Sequence, residues 1–324
     1  MGPLFRYNHR SVIILLFFSL ALSACGANPS TQVNDPFQGT ITISGAFALY
    51  PMMQRWAEEF HSIHPGVEFD ISAGGAGKGM TDALSGAVDI GMVSRDITSE
   101  EEAKGAYGIA VTKDAVFPTV NSQNPVLQDI FYQGIQQKTF LGIFITGEIT
   151  TWGQVVGRPE ITDEIHVYTR SDSCGAAEIW AKYLGNYKQE DLLGIGVTGD
   201  PGVVGAVAKD PLGIGFNNLN YAFDITTGNP VTGVSVPPID INGNGEADPD
   251  EILKTNTAAV AAISLGKYPS PPARLLYLAT NGKPSGLTKS FIEWILMDGQ
   301  KFVSESGYIQ MTQEQIEESL SKVR

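Results

Sequence analysis

Short β-rich apolar runs alternate along this chain with stretches whose apolar residues recur every three or four positions. Thr40–Ser44 reads as a strand, and the next segment, about Tyr50 to Ser62, carries Met53, Trp56, Ala57 and Phe60 at helical spacing. Val67–Ser72 reads as a second strand. Gly74-Gly75-Ala76-Gly77 follows it, then a helix to about Ser85 and the short strand Asp89–Val93. A second block of this kind runs from about Thr119 to Asn217, and a late helix, about Thr288 to Asp298, places Phe291, Trp294 and Ile295 on one face. Strand, tight loop, helix, repeated, predicts an α/β architecture with a mostly parallel sheet. No internal repeat is visible.

The first residues break this pattern. Arg6 and Arg10 precede the apolar stretch Ser11–Leu22, which is short for a permanent span, and Leu22-Ser23-Ala24-Cys25 then has the form of a lipobox. Residues 1–24 are expected to be a lipoprotein signal peptide, with Cys25 the acylated residue that holds the protein to a membrane. Residues 25–38 are polar, contain two prolines and read as a tether. Cys25 and Cys174 are the two cysteines of the chain, so no disulfide framework is expected.

About 300 mature residues suffice for two compact lobes. The hydrophobic content of 43% and charged content of 17% are those of a globular protein. A net charge of -14 argues against nucleic acid as a partner, since a phosphate backbone needs a basic face. It leaves a small anion open, because backbone N–H groups and helix ends can build an anion site whatever the overall charge.

Three segments have the form of such a site. They are Ser44 to Pro51, Gly74 to Gly79 and Arg170 to Ala176. In each, small residues follow a predicted strand and precede a predicted helix, where ligands of α/β folds bind. Glycine lets the backbone approach a ligand, and the helix start presents N–H groups that favour an anion. One such loop is commonly a plain connection; three of them, with Arg95 and Arg170 at strand ends, predict a convergent anion pocket. Gly74 to Gly79 is not a P-loop, because no Lys-Ser/Thr pair closes it at the required spacing.

Further segments carry a family resemblance. Ile43-Ser44-Gly45 through Tyr50-Pro51, Val88 to Arg95, Phe144 to Trp152, Arg170 to Glu178, Gly213-Ile214-Gly215-Phe216, Lys267-Tyr268-Pro269 with Arg274 to Tyr277, and Phe291 to Tyr308 follow one another in the order of a known pattern. Together they resemble the phosphate-binding (PstS-like) components of bacterial ABC importers. The resemblance covers almost all of the mature chain. It implies a type II periplasmic binding protein fold, with two α/β lobes and the ligand in the cleft between them. Lobe 1 would comprise residues 39–117 and 218–324, and lobe 2 residues 118–217. It implies capture of phosphate or a related oxyanion outside the cytoplasm, delivery to an ABC permease, a monomer, and no enzymatic activity. The ligand set carried over is Ala46, Phe47, Ala48, Ala76, Gly77, Arg95, Arg170, Cys174, Gly175 and Ala176.

This set departs from the family. Its binding loops carry Ser or Thr hydroxyls where this chain has Ala46, Ala48, Ala76, Cys174 and Ala176, and Phe47 adds bulk where a small polar residue is usual. A hydrogen bond to a charged group contributes ~1.5–3 kcal/mol, so losing three weakens binding by roughly a thousand-fold or more. A larger or less charged ligand, or a sensor on the same fold, therefore stays open. A phosphate-ester hydrolase is the remaining alternative; it would need a nucleophile–base pair or a two-metal cluster, and neither is evident.

Asp240 to Glu251 fits the twelve-residue calcium loop. Asp240, Asn242, Asn244 and Asp248 stand at positions one, three, five and nine, Gly245 at six, and Glu251 at twelve, with Glu246 offering its carbonyl. A structural Ca²⁺ is expected there; the alternative is a polar Asx-rich turn. His61 and His64 read as surface residues near a helix end, His166 has no evident partner in sequence, and Cys174 reads as a small buried residue. Glu100-Glu101-Glu102 reads as the solvated first turn of a helix.

Overall fold

A computed structural model describes residues 37–324, together with Gly2. Gly2 apart, the expected signal peptide, Cys25 and nearly all of the expected tether lie outside the described residues. The elements form where the apolar spacing places them. Strand β1 is Gly39–Gly45, β2 Val67–Ala73, β3 Ile90–Val93, β4 Ala106–Asn121, β5 Ile135–Gln136, β6 His166–Arg170, β7 Ile195–Val197, β8 Gly213–Asn218, β9 Val234–Ser235, β10 Ile239–Asp240 and β11 Ala273–Asn281. The helix Tyr50–Ile63 starts with Pro51 in its first turn, where a missing N–H costs nothing, and buries Met53, Trp56, Ala57 and Phe60. The helix Ala76–Ser85 stops at Gly86, whose φ of 71° is the left-handed cap conformation.

The main sheet runs β2-β1-β3-β11-β4-β8-β6-β7. Two parallel cores, β2-β1-β3 and β8-β6-β7, are joined through antiparallel pairings of β11 and β4. The sheet is thus mixed rather than mostly parallel. Strand β4 is the bridge. Its first part, Ala106–Ala115, pairs with β11, and its last part, Val116–Val120, pairs with β8. At roughly 3.3 Å per residue its 16 residues reach roughly 50 Å, enough to serve both halves.

Each half has its own core. In the first, Phe60 meets Phe291 and Trp294 with ring centroids 5.1 and 5.4 Å apart, and Trp56 Nε1 donates to the Gly299 carbonyl at 2.9 Å. In the second, Trp180 packs on Phe140, Phe144 and Phe216. Burying an aromatic ring of this size contributes ~1.5–3 kcal/mol to the core it joins.

The lobe boundary differs from the expected one. Phe223, Val236, Ile239, Leu253, Ala259 and Tyr268 belong to the second core, with Phe117 and Trp180. Tyr268 packs against Phe117 in a tilted pair with centroids 4.6 Å apart and donates to the Val116 carbonyl at 2.7 Å. Residues 218–272 therefore pack with lobe 2, and lobe 1 resumes only at β11. The loop 240–251 moves with them: β10 pairs in parallel with β5, and Gln136 Nε2 donates to Asp240 Oδ2 at 2.7 Å.

Candidate functional site

The three glycine loops meet where the lobes face each other. Gly45 has φ 132°, and a Cβ there would stand 2.3 Å from the Met92 carbonyl oxygen, so only glycine lets β1 turn against β3. Ala46 N donates to that same oxygen at 2.9 Å, and Gly74 N and Gly75 N donate to Gly45 O at 2.9 and 3.0 Å. The first two loops are thereby tied together. The third comes from the other lobe: Gly77 N donates to Ser173 O at 3.2 Å, and a Cβ on Gly175 would stand 2.2 Å from Ser94 O. Ala46, Ala48 and Ala76 are buried in the first core, and Cys174 and Ala176 in the second.

Phe47 reaches across it. Its ring centroid lies 5.3 Å from Arg170 Cζ, and its tip fits against Gly199, whose φ of 73° and missing Cβ leave room for it. Gly199 opens a fourth strand–glycine–helix loop, Val197-Thr198-Gly199-Asp200, leading from β7 into the helix Gly199–Lys209. The sequence reading passed over this loop, although it has the form of the other three.

Arg170 is a buried cation at the seam, its side chain 1% exposed. Nε and Nη2 donate to Asp172 Oδ1 and Oδ2 at 2.8 and 2.5 Å, and Nη1 donates to Asp200 Oδ2 at 2.6 Å. Burial works against its charge, but Asp200 and Asp172 outweigh that and hold it protonated. For Asp172, burial raises the carboxyl pKa, and the Arg170 bonds outweigh it and leave it below its usual range. Arg274 lies beside this pair. Its Nε donates to Ser94 O at 2.7 Å, its Nη2 to Asn218 Oδ1, and Nη2 stands 3.7 Å from Asp114 Oδ2. Burial pushes the Asp114 carboxyl up to about 6, with Arg274 working against it. Sequence reading missed Asp114, Asp200 and Asn218, and took Arg274 only as part of a pattern. The available signal was a lone acid, Asp114, inside the apolar run 109–120.

Arg95 stands where the two halves meet, and its guanidinium is held by acids. Nη1 and Nη2 donate to Glu101 Oε2 and Oε1 at 2.9 and 2.6 Å, and Nε faces Glu178 Oε2 of the other lobe at 3.2 Å. It is an ion-pair bridge, not the free anion donor expected from its position. Glu101, in turn, is no solvated residue: it closes a capping box with Thr98 and is bound to Arg95. Cys174 caps the helix Gly175–Gly185, its Sγ accepting from Ala177 N at 3.4 Å; burial pushes the thiol up to about 12. His166 does have a partner, Asp210, with Nδ1 2.7 Å from Oδ2.

The loop 240–251 is closed on itself. Gly243 N and Gly245 N donate to Asp240, Asn244 N to Asn242 Oδ1, and Ile241 N and Asp248 N to the two Glu251 oxygens. Asp248 accepts from Asn242 Nδ2 and Asn244 Nδ2. Asp240 and Glu251 are buried, at 3% and 7% exposure. Among the described residues no three acidic, histidine or cysteine side chains converge as a metal centre. A cation here would have to draw on amide and carbonyl oxygens as well as the acids.

A family model described as a PBP superfamily domain matches residues 30–298. This chain belongs to the PBP superfamily. Within it, the chain is 27% identical to the phosphate-binding protein PstS of Bacillus subtilis, over 93% of each chain. It is 25% identical to PstS of Methanocaldococcus jannaschii, over 87% of this chain and 85% of that one. Among solved structures, it superimposes with a TM-score of 0.67 on a phosphate ABC transporter substrate-binding protein from Clostridium perfringens, solved with bound phosphate. There the identity is 24%, covering 85% of this chain and 100% of the other. An ABC-type phosphate transport receptor from Vibrio cholerae gives a TM-score of 0.60 at 22% identity, over 84% and 100%. At these identities the structural likeness bears on the fold, and it is the two-lobed binding-protein fold expected from the sequence. No helix among the described residues is long and apolar enough to cross a membrane.

Proposed function

We propose that this PBP-superfamily protein is an extracytoplasmic solute-binding lipoprotein that captures phosphate or a related oxyanion between its lobes and delivers it to an ABC permease. The observation that carries the reading is the meeting of three strand–glycine–helix loops from both lobes at one seam, with the buried side chain of Arg170 in the third loop and Phe47 of the first over it. The relatives named as phosphate-binding proteins, matched over nearly their whole length, support it. A binding role also suits the seam's chemistry better than an enzymatic one. Its thiol, Cys174, is buried with a raised pKa, which makes it a poor nucleophile. Calorimetric titration with phosphate, sulfate and larger anions tests the reading. Phosphate should bind, and Arg170→Met should abolish binding; a protein that binds none of these anions overturns it.

A second reading has one observation in its favour. The seam has alanines and a cysteine where the family carries hydroxyls, so a different ligand or a sensing role fits the same fold. A larger anion outcompeting phosphate in the same titration would select it. The reading also includes anchoring through an acylated Cys25 and a Ca²⁺ ion in loop 240–251, supported by the lipobox and by the spacing of oxygen-bearing residues.

A further inference from the structure

Asp200 sits where an anion bound to Arg170 would compete with it. Its carboxylate is 0% exposed. Oδ2 accepts from Arg170 Nη1 at 2.6 Å and from Asn218 Nδ2 at 2.8 Å, and Oδ1 accepts from Asn218 N at 2.8 Å. With Asp172 on Nε and Nη2, every nitrogen of the Arg170 guanidinium carries a carboxylate partner. Arg274 adds a second buried cation and Asp114 a third acid, so the cluster holds two guanidinium groups against three carboxyls. An anion entering it finds no cation in excess. Two atoms are nevertheless poised for a ligand or water: Arg274 Nη1 and Asp114 Oδ2 are buried with no hydrogen-bond partner.

We propose that Asp200 sets the affinity and charge preference of the cleft, its carboxylate competing with the ligand for Arg170, so that the site holds oxyanions weakly and disfavours double charge. This rests on the oxyanion reading above. The physical reason is that each negative charge added to a desolvated cluster already short of cations meets repulsion weakly screened by solvent. A doubly charged anion meets about twice the repulsion of a singly charged one, while gaining the same number of donor hydrogens. Asp172 is set aside for this role, because its fork-to-fork pairing occupies Nε and Nη2 and leaves the Nη1 edge to Asp200.

Calorimetry on the whole protein with phosphate, sulfate and perchlorate at pH 7.5 tests the proposal, using wild type, Asp200→Asn and Asp200→Ser. The asparagine keeps an acceptor for the Asn218 N–H; the serine removes the clash its amide has with Arg170. Either variant should bind phosphate at least tenfold more tightly than wild type. The gain for sulfate should exceed that for perchlorate, a tetrahedral anion of single charge. Folded variants that bind phosphate no better than wild type overturn the proposal and leave the oxyanion reading standing. Wild-type protein that prefers sulfate to perchlorate by more than tenfold also overturns it, even if both variants fail to fold. If neither wild type nor variants bind any anion, the oxyanion reading itself falls, and this proposal with it.

Discussion

Arg95 separates two roles that sequence position alone confuses. If it were a ligand donor, its loss would cost binding; as the structure has it, its loss costs stability. The perturbation is Arg95→Met, which keeps much of the apolar stem and removes the charge. Arg95 and Glu101 are 11% and 16% exposed at their side chains and joined by two short bonds, with a third bond from Arg95 Nη1 to the Asp96 carbonyl at 2.9 Å. An exposed pair of this kind contributes ~0–1 kcal/mol, and breaking a fully buried one costs ~3–5 kcal/mol. Glu101 keeps its bonds to Thr98, and Glu178 is half exposed, so the loss here lies between, at roughly 2 kcal/mol. For a protein of this size that lowers Tm by about 4 °C. Burial pushes the Glu101 carboxyl up, and the bonds from Arg95 outweigh it and bring the group below its ordinary value of 4.5. A carboxyl depressed in the folded state contributes stability that is present above the unfolded pKa and lost as pH falls through the folded one. Wild type should therefore lose this contribution below about pH 4.5, and the variant should not. Thermal melts from pH 3 to 8, with phosphate titration at pH 7.5, supply the measurement; phosphate affinity should stay within about threefold. A variant that melts with wild type at pH 7.5 but has lost phosphate binding would refute the reasoning and return Arg95 to the ligand shell.

Three further outcomes are expected. Millimolar calcium should raise the Tm of wild type and not of Glu251→Gln; a wild-type melt unmoved by calcium removes the ion from loop 240–251. In a Cys25→Ser protein, Cys174 should resist a thiol reagent at pH 8 until urea unfolds the chain, because burial keeps it protonated; fast labelling of the folded protein would contradict this. The same Cys25→Ser change should release the protein from membranes or block its processing, and normal membrane partitioning of the variant would end the lipobox reading.

The parts of the fold legible in sequence were those set by local periodicity. Met53, Trp56, Ala57 and Phe60 face one core because 3.6-residue spacing puts them on one side of a helix, and that needs no knowledge of the partner. The allegiance of residues 218–272 was not legible for the opposite reason. That segment has few regular elements, and its place is decided by contacts such as those of Phe223 and Tyr268 with Phe117, more than a hundred positions away. Glu101 lies between these cases. The pattern Thr98-x-x-Glu101 announces a capping box, which orders the side chain before any tertiary contact forms. Its second partner, Arg95, follows once that order is recognised.

The seam shows why loop forms were readable and their chemistry was not. A strand–glycine–helix turn is dictated by residues adjacent in sequence, so the loops at Gly45, Gly75 and Gly175 could be placed in advance, and Gly199 by the same rule. Which carboxylate meets which guanidinium depends on how two lobes close. Phe47 illustrates the difference. As a residue in its own loop it is only bulky; against Gly199, which offers no Cβ, it fits, and its ring lies over Arg170. Gly199 in turn positions Asp200, one residue on, at the end of the same guanidinium. The bulk that replaces a polar residue on one lobe and the acid that engages Arg170 on the other are therefore neighbours in space. Separately each reads as a departure from an anion site. Together they make one continuous surface around Arg170, and a change at either position alters the space and charge an incoming anion meets.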